Sequence, residues 1–81
     1  MIVERTNRFL RAFSKVKDAR TKEHITNQIQ KITQSPEIGK PMRYARKGTR
    51  EVYISPFRLS YAYEKEEDKV IILDLYHKDE Q

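Results

Sequence analysis

The sequence predicts an α+β domain with the element order β-α-α-β-β-β, a two-helix hairpin packed on one face of a small antiparallel sheet. Three observations lead there. The first half carries two apolar stripes at helical spacing, the pattern switches to alternation after Gly48, and a nearly unbroken apolar run closes the chain at residues 70–75. At 81 residues the chain makes one domain, spanning 1–81, near the lower size at which a single core suffices.

Residues 1–5 contain two β-branched side chains and form a short first strand. Thr6 reads as a helix cap, and Phe9, Leu10, Phe13 and Val16 then recur on one helical stripe, with Arg11, Lys15 and Lys17 largely opposite. Asp18 or Thr21 caps a second helix with the stripe Ile25, Ile29, Ile32, and Ser35-Pro36 stops it, because proline drives the preceding residue out of the helical region. The short link makes the two helices an antiparallel hairpin. Val52 and Ile54 then alternate with Glu51 and Tyr53, Ser55-Pro56 is a turn, and Phe57, Leu59, Tyr61 and Tyr63 alternate with Arg58, Ser60, Ala62 and Glu64. Residues 65–69 are a charged turn. The last strand is expected to be buried on both faces.

The charge is localised. Residues 39–50 hold Lys40, Arg43, Arg46, Lys47 and Arg50 with no carboxylate, and those five positive charges equal the +5 net charge of the protein. A neutral scaffold with its excess charge in one place suggests a surface for a polyanion. If the apolar set of the fourth strand packs on the helices, Arg58 points to the open face of the sheet, and the basic loop walls a groove for an anionic chain. Tyr44, Tyr53 and Tyr76 are candidates to stack on unpaired bases. Tyr61 and Tyr63 fit the core stripe, and His24 reads as structural.

Other chemistries are poorly represented. There is no cysteine, hence no disulfide framework, thiolate zinc site or cysteine nucleophile, and no Gly-rich phosphate loop, metal-ligand cluster or serine triad. Neither a metal nor a cofactor is expected. The longest apolar run, at residues 70–73, is far below the roughly 20 residues that span a bilayer. With no signal-peptide core at the amino terminus, the expectation is a soluble cytoplasmic protein without membrane contact.

Taken in order, the segment Ile38-Gly39-Lys40-Pro41-Met42-Arg43, the hairpin from Arg50-Glu51-Val52-Tyr53 through Phe57-Arg58-Leu59-Ser60-Tyr61, and the ending Leu73-Asp74-Leu75-Tyr76-His77-Lys78 resemble the RelE/ParE toxin superfamily over essentially the whole chain. That resemblance implies a microbial-ribonuclease-like α+β fold and a toxin of a type II toxin–antitoxin module. RelE-type members are mRNA interferases: they cut ribosome-bound mRNA without a metal, by 2′-hydroxyl attack on the adjacent phosphate, and so repress translation. ParE-type members inhibit DNA gyrase instead. A RelB-like antitoxin is the implied partner, with mRNA and the ribosome as target.

Carried over singly, Arg58 matches the arginine that contacts the scissile phosphate, and Glu51 matches a strand glutamate used by some members as a base. His77 and Lys78 match the closing basic pair, while Lys40, Arg43, Arg46, Lys47 and Arg50 belong to the RNA-contacting segment. His77 suits acid–base work because its ordinary pKa lies near neutrality. Lys47, crowded by cations, is a second proton carrier, and Glu51 is either a base or a counter-ion holding Arg58. Two departures stand out. Tyr53 occupies the place of a second strand arginine, and the tyrosine that commonly follows the basic pair would fall just past Gln81, where Asp79 and Glu80 put negative charge instead. A family member that binds antitoxin or RNA without cleaving is therefore a further expectation.

Overall fold

The computed structural model describes residues 1–80; the side chain of Glu80, and Gln81, on which the sequence reading of the carboxyl terminus partly rests, lie outside the described residues. Strand β1 (Ile2–Arg5) leads into helices α1 (Asn7–Ser14) and α2 (Ala19–Gln34), then strands β2 (Lys40–Pro41), β3 (Thr49–Ile54), β4 (Phe57–Glu64) and β5 (Lys69–His77). The sheet order is β1-β5-β4-β3-β2. Two helices on a five-stranded sheet give the expected α+β architecture, with two differences. β1 pairs in parallel with β5, making the sheet mixed, and the two-residue β2 extends its other edge. The parallel pair follows from connectivity. The helical hairpin carries the chain across the sheet face, so β1 meets the last strand rather than its sequence neighbour.

Local chemistry explains the element ends. Thr6 is extended and its hydroxyl accepts the Phe9 N–H at 3.0 Å, capping α1. Asp18 accepts the Arg20 N–H at 3.1 Å and the Thr21 hydroxyl at 2.9 Å, capping α2. The helical stripes meet the alternate residues of the hairpin in one core of Phe9, Val16, Ile25, Ile29, Ile32, Ile54, Leu59, Tyr61, Val70, Ile72 and Leu75. Tyr61 is wholly buried, and its phenol is satisfied twice: the Gly39 N–H donates to it at 2.8 Å and it donates to the Pro36 carbonyl at 2.8 Å. That pair of bonds ties the basic segment to the sheet. Gly39 is needed there, since a Cβ would lie 2.7 Å from the Tyr61 hydroxyl oxygen.

β5 is not buried on both faces, because the helices cover only one side of the sheet, and it contains a bulge. Tyr61 pairs with Ile72 but Ser60 pairs with Asp74, so Leu73 is the extra residue. The bulge is held by Thr6, whose N–H donates to the Ile72 carbonyl at 3.0 Å and whose hydroxyl donates to the Leu73 carbonyl at 2.6 Å. On the carboxyl-terminal side of Leu73 the facing of the strand inverts: Val70, Ile72 and Leu75 lie in the core, while Asp74 and Tyr76 share the open face with Ser60 and Arg58.

Two substitutions test these ties by urea denaturation. Tyr61→Phe leaves the buried Gly39 N–H unpaired and is expected to cost about 1–3 kcal/mol. Thr6→Ala removes both the α1 cap and the bulge contact, with an expected loss of about 1–2 kcal/mol. Burial also pushes the Tyr61 phenol above the usual tyrosine range, ahead of the opposing Gly39 hydrogen bond. A raised native pKa gives stability that is complete below the unfolded value of about 10 and is lost as pH rises through the native value. The wild type should therefore lose stability above about pH 10 more steeply than Tyr61→Phe.

Candidate functional site

The open face of the sheet is built from alternate residues of three strands. Register places Glu51 beside Ser60 and Lys40, Tyr53 beside Arg58, and Arg58 beside Tyr76. The basic segment folds back over this face as a single 3-10 turn, Tyr44–Arg46. A cleft of about 430 Å³ opens between loop and sheet, lined by Thr6, Arg8, Ala45, Arg46, Thr49, Glu51, Ser60, Leu73, Asp74 and Tyr76.

Glu51 lies at its floor, the one buried charged side chain among the described residues. Its Oε2 accepts from the Arg46 guanidinium at 2.8 Å and from the Tyr76 hydroxyl, and Arg46 donates to that hydroxyl at 3.0 Å. The Arg46 guanidinium also stands over the Tyr76 ring, 5.6 Å from its centroid. Glu51 is thus the counter-ion of Arg46, not of Arg58. The expected pairing fails because Glu51 and Arg58 lie one register step apart along the face, and the loop brings Arg46 directly over the carboxylate. Burial, and then the bond to Glu51, pushes the Tyr76 phenol above the ordinary tyrosine range. Its hydrogen bond and charge interaction with Tyr76, ahead of the Glu51 charge, raise the Arg46 pKa above the usual arginine value.

Arg58 is arranged differently. Its guanidinium stands 5.5 Å over the Tyr53 ring, and its Nε is buried with no hydrogen-bond partner. Among the described residues the ion pairs of the basic strands involve Arg46 and Arg50, not Arg58. Tyr53 gives the Arg58 guanidinium a ring face to stand over.

The remaining predicted residues divide by position. Lys40, Arg43, Lys47 and Lys78 are exposed, Lys40 on the edge strand and on the same face as Glu51. Arg50 is turned toward the loop after α2: it donates to the carbonyls of Glu37 and Gly39 at 3.0 and 2.9 Å and pairs with the Glu37 carboxylate at 3.8 Å. His77 pairs in register with Phe57, edge-on to its ring at 5.9 Å, and lies 3.5 Å from Asp79. Neither Arg50 nor His77 shares the face of Glu51, Arg58 and Tyr76, because each is adjacent in its strand to a residue that does. Tyr76, which the sequence offers only as a ring to stack on bases, is bonded through its hydroxyl to Glu51 and Arg46. Reading β5 as a regular strand puts it on the same side as Val70 and Ile72; only the bulge brings it to the cleft. Among the described residues no group of three or more His, Cys, Asp or Glu side chains is placed to hold a metal ion, and no helix is long and apolar enough to cross a membrane.

Comparison with known proteins agrees with this fold. A family model described as the ParE toxin of the type II toxin–antitoxin system parDE matches residues 3–81. The intact RelBE toxin–antitoxin complex of E. coli contains a similar chain, at 17% identity and TM-score 0.80, with 94% of each chain covered. A RelBE toxin–antitoxin complex of Mycobacterium tuberculosis matches at 25% identity and TM-score 0.83, covering 95% of this chain and 96% of that one. A YoeB/ParE toxin of Agrobacterium tumefaciens matches at 18% identity and TM-score 0.85, covering 95% and 98%. No curated protein sequence gives a significant match.

The Arg46–Glu51–Tyr76 cluster can be checked by a double-mutant cycle. Arg46→Met leaves a buried carboxylate short of a donor and is expected to destabilise the protein by about 1–3 kcal/mol. In a Glu51→Gln background the same change should cost less, with a coupling of about 0.5–3 kcal/mol between the two sites. The Tyr76 phenolate titration, followed by ultraviolet absorbance, should move down in Glu51→Gln while staying raised by burial.

Proposed function

We propose, given that the chain belongs to the ParE toxin family of type II toxin–antitoxin systems, that this toxin is a ribosome-dependent endoribonuclease that cleaves mRNA and so represses translation. The observation that supports this best is Arg58, a half-buried guanidinium laid over Tyr53 with a partnerless Nε, next to a cleft walled by further cations. That Nε is out of reach of solvent, but the terminal nitrogens of the same guanidinium make no hydrogen bond or ion pair among the described residues and can receive a phosphate.

The chemistry follows from the neighbours. The 2′-hydroxyl oxygen attacks the adjacent phosphorus, a new P–O2′ bond forms and the P–O5′ bond breaks, leaving a cyclic phosphate and a free 5′-hydroxyl. Glu51 takes the 2′-hydroxyl proton, with the Tyr76 hydroxyl, already bonded to the same carboxylate, as the conduit. Arg58 and Arg46 face the extra charge of the phosphorane. Lys47, next to Arg46 in the exposed basic loop, protonates the leaving 5′-oxygen; His77 lies on the opposite face of the sheet and takes no part in that step. Lys40, Arg43 and Lys78 attract the flanking phosphates, and Arg50 contributes by holding the loop that presents them. A small acidic antitoxin of the RelB kind neutralises the protein, and Leu10 on α1 and Ile2 on the outer strand, both about half exposed, offer it apolar contacts.

Toe-printing of translating ribosomes tests the assignment: fresh protein should produce new cuts within A-site codons, and their absence rejects it. Arg58→Ala should lower the cleavage rate about 100–1,000-fold, the scale of losing one transition-state donor, without unfolding the protein. The family description itself favours one rival, a gyrase-inhibiting toxin. A supercoiling assay with purified gyrase separates the two, since inhibition there without A-site cleavage selects the rival.

A further inference from the structure

Tyr44 is an aromatic residue that the fold does not use. It is 91% exposed, the most open of the large apolar side chains, and makes no ring contact among the described residues. Its backbone lies at φ +58°, the left-handed region, where glycine or asparagine is at ease and an aromatic side chain is disfavoured. A residue that contributes nothing to the core and strains its own backbone is not explained by stability.

The loop around it is nonetheless well held. The Arg46 N–H donates to the Arg43 carbonyl at 3.2 Å, the Lys47 N–H to the Tyr44 carbonyl at 3.0 Å and the Met42 N–H to the Thr49 carbonyl at 3.0 Å. The Thr49 hydroxyl donates to the Arg46 carbonyl at 2.7 Å, and the Arg46 side chain is anchored on Glu51 and Tyr76. Tyr44 therefore stands out from a turn fixed at both ends, between Arg43 and the cations Arg46 and Lys47. A flat ring set among cations suits one kind of ligand in particular: an unpaired base, with its flanking phosphates on the neighbouring side chains.

We propose that Tyr44 is a stacking platform for an unpaired base of single-stranded RNA, holding the strand beside the cleft while Arg58 receives a phosphate. This rests on the reading of the open face as an RNA site and adds to it a residue that positions the strand. Stacking is tolerant of base identity, so Tyr44 should set affinity and strand placement more than sequence preference.

The chain contains no tryptophan, so Tyr44→Trp is a single-tryptophan reporter at the ring itself. Titrated with an uncleavable 2′-O-methyl oligoadenylate, its emission should be quenched at the concentration at which the oligonucleotide binds. Tyr44→Ala should weaken that binding about 5–150-fold, the equivalent of the 1–3 kcal/mol that one stacked base contributes, while Tyr44→Phe binds like the wild type. The salt dependence of binding should be unchanged in Tyr44→Ala, because no charge is removed. Tyr44→Gly, which suits the left-handed backbone, should fold at least as stably as the wild type yet share the binding loss, separating stacking from folding.

Unaltered emission on a bound oligonucleotide, or equal affinity in Tyr44→Ala, overturns the proposal; A-site cleavage by the wild type in the same preparation would show that the nuclease reading survives it. No binding of the oligonucleotide by the wild type also overturns it. So does a Tyr44→Ala variant that loses gyrase inhibition alone, which would make the ring an anchor for a protein.

Discussion

One additional residue in β5 decides which side chains share the open face. A strand presents alternate residues to alternate sides, so a single inserted position reverses every facing that follows it. Here the inserted position is Leu73, and the reversal puts Leu75 into the core and Tyr76 into the cleft, where a regular strand would do the opposite. The hydroxyl of Thr6 holds the Leu73 carbonyl, and Asp74 accepts the N–H of Leu75 at 2.8 Å, so the irregularity is bonded on both sides. The residue that starts α1 thus also fixes the alignment of the last strand. The site depends on that double use.

Upon this frame sits a charge that the fold must accommodate. Glu51 has a side chain only 5% exposed, whereas its partner Arg46 remains 51% exposed. A buried carboxylate without donors costs several kcal/mol, and its hydrogen bonds to charged or polar donors restore about 1.5–3 kcal/mol each. The carboxylate therefore needs the basic loop more than the loop's own cation needs the carboxylate. In consequence the loop is drawn over the sheet, and the cleft exists because of that attraction. Arg50 and Tyr61 reinforce it from the other side by gripping the carbonyls and N–H of residues 36–39.

How much of this the sequence discloses depends on the range of the interaction. Periodicity locates both helices and the hairpin because Phe9, Val16, Ile25, Ile29 and Ile32 meet one core, although Leu10 on the first stripe stays exposed. Caps at Thr6 and Asp18, the stop at Ser35-Pro36 and the charged turn before Lys69 are local signals and were legible for that reason. The parallel pairing of β1 with β5 is not local: nothing in residues 2–5 distinguishes a parallel from an antiparallel neighbour. The bulge is equally silent, since residues 70–73 are apolar throughout and any alignment would bury them. That silence explains the site. Alternation in β4 alone puts Arg58 on the open face, while His77 and Tyr76 lie past the bulge and exchange the faces a regular strand would give them. Glu51 and Arg46 are five residues apart, yet their contact depends on a 3-10 turn that the basic composition of the loop does not announce.

The same geometry redistributes the charge that first marks this chain. Of the five cations at residues 39–50, Arg46 and Arg50 are engaged by Glu51 and Glu37, so part of the excess is spent on holding the loop. Lys40, Arg43 and Lys47 remain exposed around the cleft, and their attraction for an anionic strand is long-ranged and screened over about 8–10 Å at physiological ionic strength. In the proposed function Arg58, which the charge count does not single out, acts at short range, where partial burial reduces that screening. On the proposed reading, capture and chemistry are separable in kind: salt screens the exposed rim cations strongly and the partly buried Arg58 less. On that same reading, an anion drawn in by the rim meets an arginine that stands over Tyr53 and is held by no ion pair among the described residues.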